Sequence, residues 1–239
     1  MIKFFKRIIK LIIFIVIAVL AVLIYDGYEL YQEALVQTSI EQKIAEIKKE
    51  KINYIEYENL PKDYINAIVA AEDRRYFEHN GIDLISISRA IIKDIQTMSF
   101  VEGGSTITQQ LAKNTYFTQR KELTRKIAEI FMAFEYENVC TKEEILELYV
   151  NTIYFGDGYY CIYDASKGYF NKEPKDMTLY ESTLLAGIPN APSVYAPTKN
   201  PELSKERQAQ VLNKMVKYDY LSQEEADNIL KTEFKKIDK

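Results

Sequence analysis

The stretch Pro61 to Asp83, PKDYINAIVAAEDRRYFEHNGID, holds the first residue suited to chemistry. Ile65, Ile68, Val69 and Tyr76 recur at spacings of three and four, the mark of one buried helix face. Glu72 falls on that face, seven residues after Ile65 and four before Tyr76. Burying a carboxylate without a partner costs several kcal/mol, so Glu72 is expected to be paired or to line a cleft. Cleft carboxylates are the usual general acids and bases of sugar chemistry. Taken alone, the segment is read more plainly as a structural glutamate paired with Arg75 or a backbone donor.

Two further stretches carry polar groups in register. In the run from Val101 to Asn114, two glycines precede Ser105 and Thr106, either of which can cap a helix, with Gln109 completing a capping box from Thr106. Such a helix start can hold an anion, and Gln109 and Lys113 share a face four residues apart. In the helix expected over 120–138, Ile127, Ile130, Phe131 and Phe134 form the core stripe, while Arg125, Glu129 and Ala133 lie on a second line. That charged pair reads equally well as a boundary salt bridge, worth little if exposed.

The elements that must position these groups read as helices. The Pro61 helix is expected to end near Asn80-Gly81. Residues 82–100 form an apolar helix, either core or membrane-touching. Thr141 and Glu144 open another helix with a capping box, burying Ile145, Leu148 and Tyr149 in a mainly structural role. Residues 151–170, rich in Tyr and Gly, suggest turn and helix; 179–197 is a helix end followed by a Pro-punctuated loop; two amphipathic helices flank a turn at Tyr218-Asp219-Tyr220. No strand pattern or repeat stands out.

At the N-terminus, Lys3, Lys6, Arg7 and Lys10 precede an apolar run from Leu11 to Tyr25, and Asp26, Glu29 and Glu33 follow. Basic before acidic puts the N-terminus in the cytoplasm and the remainder outside. No small-x-small site precedes a polar start, so an uncleaved membrane anchor is expected rather than a signal peptide. The expected organisation is an anchor over 1–26, a helical stalk over 27–58, a globular domain over 59–234 and a frayed tail over 235–239.

Composition narrows the function. The 239 residues are 47% hydrophobic, enough for a sizeable core, and the net charge of -4 argues against general nucleic-acid binding. An anionic substrate would need a local cluster of Lys and Arg. The single histidine, His79, rules out a multi-His metal site, and Cys140 and Cys161 lack metal-ligand spacing. His79 itself reads as a structural residue at the helix end.

Five motifs then stand in order: EDRRYFEHNG from Glu72, GGSTITQQLAKN from Gly103, RKIAEIFMAFEYE from Arg125, KEEILELYVN from Lys142 and LLAGIPNAP from Leu184. In these the chain resembles the peptidoglycan glycosyltransferases, family 51, over roughly residues 60 to 230. The resemblance implies a mostly α fold, with a lysozyme-like helical lobe and a smaller membrane-facing lobe preceded by one transmembrane helix. It implies polymerisation of lipid II into β-1,4 glycan by inverting displacement of undecaprenyl pyrophosphate, without a transpeptidase domain. A lysozyme-like or lytic hydrolase is the rival reading.

By that resemblance Glu72 is the general base. Lys113, Arg125 and Lys126 lie near the pyrophosphate, and Glu129 is the second glutamate, orienting cations or supporting the donor. Asp73, Ser105, Gln109 and Asn114 position sugars or fix the cleft. No cofactor is required, although Mg2+ or Mn2+ could help to neutralise the pyrophosphate. The implied partners are lipid II, the nascent lipid-linked glycan, the cell membrane, and proteins of cell-wall synthesis or division. The chain departs from the pattern at Cys161, where a glycine is usual, at Tyr163, where a glutamate is usual, and at Asn171, another common glycine. A positive φ would strain Cys161 but suits asparagine. The family's basic position between the second and third motifs falls on Arg120 or Lys121.

Overall fold

The computed structural model describes residues 2–97, 103–117 and 123–234; Arg120, Lys121 and the tail 235–239 lie outside them. Among the described residues there are twelve α-helices and no strand. In chain order they are α1 (Ile2–Gln37), α2 (Ile40–Glu50), α3 (Lys62–Glu72), α4 (Leu84–Thr97), α5 (Ile107–Tyr116), α6 (Leu123–Val139), α7 (Lys142–Val150), α8 (Ile162–Phe170), α9 (Leu179–Gly187), α10 (Pro192–Tyr195), α11 (Pro201–Lys217) and α12 (Gln223–Leu230). The mostly α expectation holds.

Local sequence fixes many of the starts. Capping boxes open α2 (Ser39, Gln42), α5 (Thr106, Gln109), α7 (Thr141, Glu144), α9 (Thr178, Glu181) and α12 (Ser222, Glu225). Each satisfies two backbone donors that a helix start leaves orphaned.

Helix α1 does not stop at residue 26. It runs 36 residues, about 54 Å at 1.5 Å per residue, well beyond the ~30 Å of a bilayer core. Its segment Phe4–Gln37 is long and apolar enough to cross a membrane. The far end packs on α6. At Gly27 a Cβ would stand 2.6 Å from Ile127, so only glycine admits this approach. Tyr28 and Tyr31 then pack against Phe131, with ring centroids 5.3 and 5.7 Å away.

The segment read as a stalk is bound into the main core. Tyr31, Ile40 and Ile47 are buried there. Glu147 of α7 accepts from Tyr54 Oη (2.7 Å) and Tyr57 N (2.9 Å), and Asn151 bonds both backbone groups of Ile55. The KEEILELYVN motif therefore clamps the incoming chain with two of its polar residues.

Helix α6 also differs from expectation. Ile127, Ile130, Phe131 and Phe134 are only half-buried, whereas Glu129, Met132, Ala133 and Tyr136 are buried. Ile127 and Phe131 of the apolar stripe meet α1, and the line carrying Glu129 faces inward.

Helix α3 ends at Glu72, eight residues short of the expected Asn80. Asp73 breaks it, with φ −153° and ψ 76°. Its carboxylate accepts from Ile107 N at the start of α5 (3.1 Å) and from His79 Nε2 (2.9 Å), bonds that a continuing helix would not allow. The chain turns back through Gly81, whose φ of +83° favours glycine, and the Gly81 carbonyl accepts from Thr106 Oγ1 at 2.6 Å. His79, expected at the helix end, instead lies beyond the end of α3, with its Nε2 on Asp73.

Helix α4 follows that turn. Ala90 is buried, while Leu84, Ile85 and Ile92 are exposed. Cys161 shows no strain. It sits at φ −161°, extended, and its Sγ accepts from Asp164 N at the start of α8. Asn171 takes the left-handed conformation at φ 55°, as its type permits. Both cysteines are free and buried, and burial pushes the Cys140 thiol up to about 12 and Cys161 to about 11.

In a chain without tryptophan, tyrosine fills the centre: Tyr64, Tyr76, Tyr136, Tyr149 and Tyr169 are among the largest fully buried side chains. Four of these hydroxyls have partners: Tyr76 on Lys142 O (2.6 Å), Tyr136 with Thr115 (2.9 Å), Tyr149 on Gln110 (3.1 Å) and Tyr169 on Phe155 O (2.8 Å). Tyr64 Oη is buried without one. Removing it relieves an unpaired polar group, so Tyr64→Phe is expected to leave stability unchanged or raise it by about 1 kcal/mol, read as a denaturation midpoint. A loss as large as that of Tyr76→Phe would contradict this.

Candidate functional site

A cleft of about 880 Å³ opens where the end of α3, the Gly103–Thr106 loop, α5, α6 and α11 converge. Eight cations line it (Arg74, Arg89, Lys93, Lys113, Arg125, Lys126, Arg207 and Lys214) against four carboxylates (Glu72, Asp73, Asp83 and Glu129). A chain of net charge -4 thus concentrates positive charge in one place.

Three of the four carboxylates are committed to the protein. Glu129 is 1% exposed; Arg125 Nη1 donates to its Oε1 and Lys126 Nζ to its Oε2 at 2.7 Å. Both cations come from the turn of α6 before it. The pair is therefore internal rather than a surface bridge. Lys126 also donates to Ser105 Oγ at 2.6 Å, tying the glycine loop to α6. Asp73 is held by His79 and the start of α5. Asp83 takes Arg75 Nε at 3.0 Å and Nη2 at 2.7 Å, with Ser86 donating through its N (2.9 Å) and Oγ (2.5 Å).

Glu72 differs. Its side chain is 8% exposed and lines the cleft. Gln110 Nε2 donates to Oε2 at 2.9 Å. Among the described residues, Oε1 faces Arg207 Nη2 alone, at 3.4 Å, the outer limit of a hydrogen bond. Arg207 is itself fixed by Gly187 O (3.3 Å) and Gln210 Oε1 (3.0 Å), and it stacks over Tyr195. The Arg75 pairing considered for Glu72 goes to Asp83 instead.

Of the residues singled out in the sequence, Glu72, Asp73, Ser105, Gln109, Lys113, Arg125, Lys126 and Glu129 all line the cleft. Asn114 does not; it is on the exposed side of α5. Gln109 is 1% exposed, its Oε1 accepting from Thr106 N at 3.0 Å, so it fixes the loop. Arg74 lies over the Tyr218 ring at 5.1 Å. Among the described residues no three His, Cys, Asp or Glu side chains cluster to hold a metal.

Sequence reading missed Gln110, Arg207 and Lys214. A signal existed for two of them. Capping consumes Gln109, which leaves the neighbouring glutamine to face elsewhere. Arg207 stands four residues before Val211 and eight before Met215, on a buried stripe where an arginine is out of place. Lys214, whose Nζ donates to Ala71 O at 2.5 Å, carried no such mark.

These features define a helical protein with a cation-rich cleft around Glu72. The family model described as Transglycosylase matches residues 40–216, and the chain belongs to that family. It is 44% identical over 184 residues to penicillin-binding protein 1F of Bacillus subtilis (strain 168), covering 77% of this chain and 26% of that protein. It is 38% identical over 211 residues to penicillin-binding protein 1A of Neisseria flavescens, covering 87% and 26%. A 2.6 Å crystal structure of penicillin-binding protein 1A from Haemophilus influenzae matches with 31% identity and a TM-score of 0.39, over 55% of this chain and 16% of that one. The chain spans about a quarter of the length of these curated relatives.

Asp83 gives the site a pH signature. Burial alone would raise its pKa, but Arg75 and Ser86 outweigh burial and hold it well below the usual carboxylate range. The stabilisation is thus complete above about pH 4, the unfolded value, and is lost as pH falls through the depressed one. Asp83→Asn is expected to cost about 2 kcal/mol at pH 7. Its gap from wild type should narrow below about pH 4 in chemical denaturation. A gap constant with pH would contradict the assignment.

Proposed function

We propose that the chain is a peptidoglycan glycosyltransferase that polymerises lipid II into β-1,4 glycan. Helix α1 acts as a single-pass anchor in the cell membrane, with the N-terminus cytoplasmic and the cleft outside. Lipid II and the growing lipid-linked strand bind in the cleft, and α4 turns its exposed leucine and isoleucines to the membrane that carries them.

One observation carries this reading. In a cleft where cations outnumber carboxylates two to one, only Glu72 keeps an oxygen without a close donor among the described residues. Glu72 removes the proton from the acceptor's 4-hydroxyl. That oxygen attacks the anomeric carbon of the donor from the face opposite the pyrophosphate. The bond from that carbon to the pyrophosphate oxygen breaks, its electron pair leaves with the phosphate, and the anomeric centre inverts.

The leaving group is already acidic, so it needs charge neutralisation more than protonation. Lys113, Arg125 and Lys126 supply it. Glu129 holds Arg125 and Lys126 in place, while Asp73, Ser105 and Gln109 fix the loop and helix start beneath them. A lytic hydrolase would need a second carboxylate to act on substrate or water. Both Glu129 oxygens are already occupied by cations, which favours transfer over hydrolysis.

Glu72→Gln keeps the side-chain volume and removes the base. Polymerisation of purified lipid II, read as glycan on a gel, is expected to fall at least about 100-fold while the thermal transition persists. Near-normal glycan synthesis by a folded Glu72→Gln protein would overturn the assignment.

A further inference from the structure

Behind Glu72 lies a chain of hydrogen bonds that the displacement does not itself require. Tyr149 Oη donates to Gln110 Oε1 at 3.1 Å, and Gln110 Nε2 donates to Glu72 Oε2 at 2.9 Å. The three residues come from α7, α5 and α3, so the chain crosses the interior between three helices. The Tyr149 ring is fully buried. Burial, together with the charge of Glu72, holds its pKa well above the ordinary tyrosine value, so it remains a neutral donor.

An amide can face a carboxylate with either end. Turning its oxygen toward the Glu72 anion would set acceptor against acceptor. A donor at the far end pins that oxygen away from Glu72. It also polarises the amide, which strengthens the N–H bond to the carboxylate. Oε2 is then engaged, and Oε1, with only the 3.4 Å approach of Arg207, is the more open atom.

We propose that Tyr149 is a positioning residue that, through Gln110, locks Oε2 of Glu72 and leaves Oε1 to take the proton from the acceptor sugar. This rests on the glycosyltransferase reading. The other charged or titratable groups around Glu72 are Arg207 and Lys214 from α11, Lys113 from α5, and Tyr64 and Asp73 on either side of it in α3 and its cap. α9 contributes the Gly187 carbonyl that anchors Arg207. Among the described residues none of these groups bonds the far end of the Gln110 amide, where Tyr149 sits, so the Tyr149 hydroxyl can be removed without disturbing them.

The test is Tyr149→Phe in the full chain, assayed on lipid II across pH. The ring still fills its site. The lock is expected to loosen and the Glu72 anion to be less well stabilised. kcat should therefore fall about five- to ten-fold with KM within about two-fold, and the acid limb of the kcat profile should move to higher pH by about half a unit. In a Gln110→Ala background the same change should cost less than about two-fold more, because the path to Glu72 is already cut. Tyr64→Phe removes a neighbouring buried hydroxyl that has no partner, and should leave the acid limb where it is.

An unmoved acid limb in Tyr149→Phe would overturn the proposal, as would full additivity with Gln110→Ala. So would an equal shift in Tyr64→Phe. Failure of the underlying reading looks different: wild type then makes no glycan from lipid II, or Glu72→Gln makes it normally.

Discussion

A carboxylate surrounded by cations is drawn into ion pairs, and an ion-paired carboxylate is a poor base. The cleft meets this constraint by occupying its other acids. Arg125 and Lys126 are held on Glu129, Arg75 on Asp83, and the turn after α3 on Asp73. Glu72 sits at the edge of that network, with Arg207 at arm's length and a neutral amide as its close donor. Positive charge can then serve an anionic leaving group without silencing the proposed base.

The fold serves the same end. Ending α3 at Glu72 puts the carboxylate at the helix terminus rather than in mid-helix, where neighbouring turns would crowd it. Asp73 makes that break and joins it to the start of α5, which carries Gln110 and Lys113. Helix α6 brings Glu129 with its cations, and its other face packs on α1. The apolar N-terminal helix thus packs on the same helix that carries Glu129 into the cleft.

Much of this was legible in the sequence where the cause is local. The boxes at Thr106–Gln109 and Thr141–Glu144 needed only residues three apart. Glu72 stood out as an acid on an apolar face, and Arg125 and Glu129 as a pair one turn apart. What depends on distant contacts was hidden. The end of α3 is set by a bond from Asp73 to residue 107, and periodicity through Tyr76 ran past it. Arg207 meets Glu72 across 135 positions; its place on a buried stripe marks it as unusual but does not name its partner. Tyr149 looked like ordinary core, because burial does not reveal which hydroxyl ends in a functional network. The expected core stripe of α6 is only half-buried, since a helix packed on two sides has no single apolar face. Asn114 shares a motif with the cleft residues but points away from them.

The most direct test of a cationic cleft serving one open carboxylate is a choice of substrate. The purified protein would be given lipid II in one reaction and finished, lipid-free cell wall in another, and glycan polymer and soluble fragments would be measured in both. The account predicts polymer from lipid II and no fragments from wall. Soluble fragments from wall, with lipid II left unconsumed, would contradict it.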